Sequence, residues 1–166
     1  MILLSCFEPF GGEAINSSLE VCRLLESEGR SGLKICVLPV VWKSAPESLL
    51  KEIEKWNPRV VLAFGQAKRR GISLETRAQN LDDFRIPDNA GKQILAQKII
   101  TSAPENLSST LPLEKIFARL KKEQIPVELS QSAGSFVCNH LFFHLQDALA
   151  KKKVLSGFIH LPFLPE

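Results

Sequence analysis

The chain has 166 residues, 45% of them hydrophobic and 23% charged, with a formal net charge of +3. That size suits one domain with a substantial core, and the balance is that of an ordinary globular protein. The Lys/Arg clusters are short, scattered and free of interleaved aromatics, which argues against a nucleic-acid partner, and no apolar run approaches a membrane span.

Taken in order, "MILLS" reads as a short buried strand. After "FEPFGGEAI", the segment Ser17 to Glu28 reads as a helix, with Ser17 and Glu20 as a capping box and Leu19, Cys22 and Leu25 as its apolar stripe. "LKICVLPVVW" is β-branched and apolar, a second strand. Ser44 with Glu47 is expected to cap the next helix, which turns Leu49, Leu50, Ile53 and Trp56 inward. "RVVLAFG" is apolar throughout, the kind of strand buried in a parallel sheet. The polar stretch from Gln66 to Pro112 has no clear periodicity and reads as a functional loop region or irregular excursions. Leu113, Ile116, Phe117 and Leu120 mark another helix, "IPVELS" a strand, Val137 to Lys151 a helix, and "GFIHLPF" a last strand.

Strands alternating with helices predict an α/β sandwich with a mostly parallel sheet, and a single domain over residues 1–166. In such sheets, sites gather beyond the carboxyl ends of the strands. "FEPFGG", "GQAKRRG" and "SAGSFVC" all occupy such places.

The cysteines are Cys6, Cys22, Cys36 and Cys138, and none forms a C-x-x-C pair. Zinc and thioredoxin-like readings are therefore weak, no metal site is expected, and free thiols in a reducing cytoplasm are. "MILLSC" is too short for a signal-peptide core. Cys138 follows the small-residue run Ser132-Ala133-Gly134-Ser135 and opens a helix. It is either core filling, the common fate of cysteine, or a nucleophile whose thiolate is favoured by unsatisfied N–H groups and the helix dipole. A thiolate in acyl transfer wants an imidazole base. His140 and His144 lie four apart on the helix that Cys138 begins and read as packed or surface residues. His160 lies in an apolar strand, where its ring needs a partner. The carboxylate that would orient such a base is one of Glu75, Asp82, Asp83 or Asp88, and spacing does not choose among them. Phe7 and Phe10 flank Pro9 and are either core or the walls of an apolar slot.

"CFEPFGG" with Asn16, "GQA", Glu75 with "RIPDNAG", "SAGSFVCNHLFF" and "GFIHLPFLP" occur in this order over nearly the whole chain. Together they resemble the pyroglutamyl-peptidase I family of cysteine peptidases. The resemblance implies a three-layer α/β/α sandwich of the phosphorylase/hydrolase-like kind. It implies removal of N-terminal pyroglutamyl (5-oxoprolyl) residues from small peptides through a thioester, without cofactor or metal. By motif it makes Cys138 the nucleophile, His160 its base and Glu75 the third catalytic residue. It places Phe7, Phe10, Ile86, Phe136 and Val137 around the pyroglutamyl ring, Gln66 where main-chain groups hold that ring, and Arg85 near the catalytic centre. Members of the family are often homo-oligomers, so it also implies a possible homo-oligomer; the cytoplasmic setting and the lack of a nucleic-acid or membrane partner rest on the composition read above.

The sequence departs from the family around Glu75 ("LETRAQN" for a more apolar run), at Ser5-Cys6 before "FEPFGG" and at Asn16-Ser17-Ser18 for "NPS", and most visibly at two further places. The family's "GQAGGR" is here "GQAKRRG", one residue shorter before Glu75, and the chain stops at Glu166, where members usually continue with a helical segment. The alternative reading is a divergent or inactive homologue, with its pocket altered by residues 68–71, that binds modified N-termini or cleaves another amide.

Overall fold

The β-branched and apolar runs become the centre of one six-stranded sheet. The computed structural model describes residues 1–164, so Glu166 and the end of the expected 1–166 domain lie outside the described residues. In chain order the elements are β1 (Ile2–Phe7), α1 (Ser17–Ser27), β2 (Leu33–Leu38), α2 (Ser44–Trp56), β3 (Val60–Gln66), β4 (Ile72–Glu75), β5 (Arg77–Gln79), β6 (Asn106–Ser108), α3 (Leu113–Lys122), β7 (Val127–Ser130), α4 (Val137–Leu149) and β8 (Leu155–Leu161). The strand order is β2-β1-β3-β8-β4-β7, with β5 and β6 in a separate small ribbon. Within the sheet only β4 and β8 run antiparallel; β2, β1, β3 and β8 are parallel neighbours, and β4 is parallel to β7.

Period-two alternation sends successive side chains to opposite faces of this sheet. Leu3, Phe7, Val61, Ala63 and Phe158 pack with α2 and α4 on one side. Leu4 and Cys6 meet Leu19 and Cys22 of α1 on the other, where Leu74, Ile159 and Leu161 also meet Ile116, Phe117 and Leu120 of α3. Helices on both faces of a mostly parallel sheet make the expected three-layer sandwich. α4 is the most deeply sunk helix. Its Leu141, Phe142 and Phe143 are wholly buried, and each such side chain contributes roughly 1.5–3 kcal/mol relative to exposure.

Two helix starts differ from the sequence reading. α1 is capped by Asn16, not Ser17: the Asn16 carboxamide oxygen accepts from the Ser18 N–H at 3.0 Å. Asparagine is as good an N-cap as serine, and here its side chain also reaches Ser18 Oγ and the Glu8 carbonyl. α2 begins at Ser44 but its cap position is Lys43, which makes no side-chain cap bond.

The larger difference lies in the polar stretch from 66 to 112, which holds three strands. β4 escaped notice because it is four residues long and carries Ser73 and Glu75 on one face, too short and too polar for its alternation to register. Much of the rest is tied together by one side chain, that of Asn80. The Asn80 oxygen accepts from the Ile99 and Ile100 N–H groups, and its nitrogen donates to the carbonyls of Ile100, Ala103 and Pro104. A buried amide that satisfies this much backbone replaces the ladder that regular structure would supply.

Candidate active site

β8 and β4 run side by side with Ser73 opposite His160 and Glu75 opposite Phe158. The pleat therefore turns His160 and Glu75 to the same face as Phe158, the face that α4 covers. There His160 Nδ1 and Glu75 Oε1 are 2.8 Å apart, and both residues are buried. Glu75 is completely enclosed, and its Oε2 has no partner among the described residues. The Arg69 guanidinium lies 3.8 Å from the same Oε1 and donates to the Ser132 carbonyl at 3.0 Å. A carboxylate on Nδ1 fixes the ring orientation and leaves Nε2 as the working nitrogen.

Cys138 is the second residue of α4, after the cap residue Phe136, whose side chain makes no capping bond. The helix's first N–H groups are thus not covered by a capping side chain. Cys138 and His160 line one cavity of about 640 Å³, together with Phe10, Gln66, Ile86 and Phe136. Among the described residues no hydrogen bond joins the thiol to the ring; such contacts commonly tighten only when substrate is bound. Burial pushes the Cys138 thiol up to about 12, the Glu75 carboxylate adds to that, and a backbone hydrogen bond pulls the other way. The helix start thus pulls toward thiolate as expected, but the pull is outweighed. Desolvation outweighs the dipole, and the resting sulfur holds its proton at neutral pH.

Gly65 was not singled out in the sequence, yet its place beside Cys138 depends on its having no side chain. A Cβ there would lie 2.7 Å from the Phe158 ring and 3.0 Å from Cys138 Sγ. Its sequence signal is a glycine at the end of an apolar strand, where it also opens the "GQA" motif. Phe84 was missed as well. It is buried and packs edge-on against Phe136 with ring centroids 4.8 Å apart, fixing one wall of the cavity.

Phe10, Gln66, Arg85, Ile86, Phe136, Cys138 and His160 all line the cavity. Glu75 stands behind His160. Phe7 and Val137 are instead sealed in the core, with the Phe7 ring 6.4 Å from that of Phe158, so they back the cavity rather than wall it. The Gln66 side chain faces α1: its oxygen accepts from the Ser17 N–H at 2.6 Å, while its amide nitrogen is buried without a described partner. Lys68 and Arg69 of the altered loop line the cavity and leave it open.

The motifs around the cavity are struts as much as walls. The Asp88 carboxylate accepts from the N–H groups of Trp42, Ala90 and Lys92. Asn89 donates to Glu8 Oε1 and to the Pro9 carbonyl, tying "RIPDN" to "FEPFGG". The Gly11 turn, at φ +65°, brings Ile86 against it. Asn139, next to the thiol, binds the backbone of Gln79 and Leu81 and pins α4 to β5. Of the carboxylates left open by spacing, Asp82 pairs with His140 at 2.8 Å, Asp88 serves the backbone, and Asp83 accepts from the Ala96 N–H; only Glu75 meets His160.

Comparison with known proteins points the same way. Residues 1–166 match the family model described as pyroglutamyl peptidase. The chain is 47% identical over 168 residues to a pyrrolidone-carboxylate peptidase of Vibrio vulnificus, covering 99% of this chain and 79% of that protein. A Fusobacterium nucleatum protein of the same name is 45% identical over 169 residues, with the same coverage. Among solved structures, pyroglutamyl peptidase I of Bacillus amyloliquefaciens superposes with a TM-score of 0.92 at 37% identity, over 99% of this chain and 82% of that one. A mutant pyrrolidone carboxyl peptidase of Pyrococcus furiosus gives 0.92 at 38% identity, over 99% and 81%. With a thiol, an imidazole and a buried carboxylate gathered at one cavity, and relatives this similar over its length, the chain belongs to the pyroglutamyl peptidase family.

Proposed function

We propose that the chain is a cysteine peptidase that removes N-terminal pyroglutamyl residues from peptides, with Cys138 as nucleophile, His160 as general base and acid, and Glu75 as the group that orients the imidazole. The observation that carries this reading is the buried 2.8 Å contact between His160 Nδ1 and Glu75 Oε1 at the wall of the cavity that Cys138 also lines. With Nδ1 committed to the carboxylate, Nε2 takes the thiol proton as Sγ attacks the pyroglutamyl carbonyl carbon. The raised thiol makes this transfer necessary: the nucleophile forms as the base accepts its proton. The oxyanion that develops is met by the N–H groups at the start of α4. Collapse breaks the C–N bond, and the imidazolium returns its proton to the departing amine. Water, deprotonated by the same nitrogen, then splits the thioester to free pyroglutamate and the thiol.

The cavity suits that acyl group. A pyroglutamyl ring is small, flat and uncharged, with one lactam N–H and one C=O. Phe10, Phe136 and Ile86 supply an apolar slot in the cavity that Gln66 also lines, and the main chain at Gln66 is the group proposed to hold the lactam. An ordinary N-terminal ammonium would lose its hydration in the apolar slot of Phe10, Phe136 and Ile86, so selection works as much by rejecting charge as by gripping the ring. Four unpaired thiols among the described residues support a reducing, cytoplasmic site of action.

A chromogenic pyroglutamyl anilide tests the assignment. The protein hydrolyses it, and Cys138→Ser lowers kcat by about 10³-fold or more, the scale seen when a catalytic triad loses a member. Folded wild type without activity would reject the function; activity surviving Cys138→Ser would reject the nucleophile.

A further inference from the structure

The turn between β3 and β4 carries Lys68-Arg69-Arg70, and its first two side chains line the cavity. Their situations differ. Arg69 is committed: its guanidinium reaches Glu75 Oε1 at 3.8 Å and Ser132 O at 3.0 Å, so its charge offsets the buried carboxylate. Lys68 is exposed and makes no ion pair among the described residues. The other charged groups on the lining are Asp83 and Arg85, two residues apart on one segment and opposite in sign.

Lys68 also lies just past the strand end that adjoins His160. Gln66 pairs with Leu161, and the Ala67 N–H donates to the Leu161 carbonyl at 3.0 Å, so the chain after β3 runs beside the chain after β8. His160 sits at that end of β8, and its Nε2 delivers the proton to the departing amine. With the ring in the slot of Phe10, Phe136 and Ile86, the lining left for the residue after the scissile bond includes Lys68 and Phe163. An uncommitted ammonium on that lining attracts a carboxylate and repels a cation.

We propose that Lys68 is a specificity-determining residue that favours peptides with an acidic residue immediately after the pyroglutamyl group. This rests on the cavity being a pyroglutamyl site, and the test separates the two. Three amidated peptides, with Glu, Ala or Lys after pyroglutamate, are compared by kcat/KM at low salt. The expected order is Glu, then Ala, then Lys, with about three- to fivefold between neighbours, the range of a partly exposed ion pair. Added salt compresses the spread. Lys68→Glu, an exchange at an exposed position, inverts the order. Equal cleavage of the three peptides, or an order that Lys68→Glu leaves unchanged, overturns the role of Lys68 while leaving the peptidase reading intact. Cleavage of none of them overturns the peptidase reading itself.

Discussion

Two buried carboxylate–imidazole pairs stand on the same side of the sheet, and chemically they look alike. Glu75 and His160 meet at 2.8 Å, as do Asp82 and His140. The surroundings separate them. His160 shares a cavity with a thiol at a helix start, and its carboxylate has an arginine as its other neighbour. The Asp82 carboxylate also accepts from the Trp42 indole N–H at 2.8 Å, and His140 packs against Trp42 and His144. Burial and the neighbouring His140 push His144 down to about 4, so that helix face carries a neutral ring near physiological pH. No cysteine borders its groove, which is lined by Trp42, Pro46, Leu50 and Ile99 among others. A hydrogen-bonded His–carboxylate pair is thus a structural part by default, and becomes catalytic equipment only where a nucleophile and space for substrate adjoin it.

Substitutions in the two pairs break this symmetry most sharply. His160→Gln removes the proposed base, and we expect kcat on a pyroglutamyl anilide to fall by about 10³-fold with the fold intact. His140→Gln removes a partner from a carboxylate whose Oδ1 already has none among the described residues. It should cost about 1–3 kcal/mol of stability, read as a lower Tm, with far less effect on kcat. Comparable losses of kcat in both variants, at equal stability, would erase the distinction. A smaller effect sharpens the role of the thiol. Because burial holds Cys138 up at about 12, its thiolate fraction rises tenfold for each pH unit through neutral and mildly alkaline pH. Iodoacetamide alkylation of Cys138 should therefore climb steadily from pH 7 to 10 without a plateau. A plateau near neutrality would mean a preformed thiolate–imidazolium pair instead of a base that acts during attack.

The sandwich was legible in the sequence because β1 and β3 are almost wholly apolar, β8 has an apolar face of Leu155, Ile159 and Leu161, and the helices carry clear stripes. Cys138 and His160 were visible as residues that an apolar element does not need. The pairing of His160 with Glu75 was not legible from spacing. It depends on β4, whose four residues slot between β8 and β7 only once the whole sheet exists, so Glu75, Asp82, Asp83 and Asp88 looked equivalent along the chain. The motif resemblance chose Glu75, and the pleat supplies the physical reason. Phe7 and Val137 were assigned to the pocket by motif, yet alternation along β1 and the first turn of α4 bury them one layer deeper. The thiol's raised affinity for its proton was hidden too, since desolvation is set by packing that no local pattern reveals.

The most direct test of the central claim is to trap the acyl group. The protein is mixed with a pyroglutamyl ester, quenched in acid within the first turnovers, digested and weighed. The account predicts a single pyroglutamyl adduct on the peptide containing Cys138, lost in Cys138→Ser. Turnover without any adduct at Cys138, or an adduct on Cys6, Cys22 or Cys36 in its place, would contradict it.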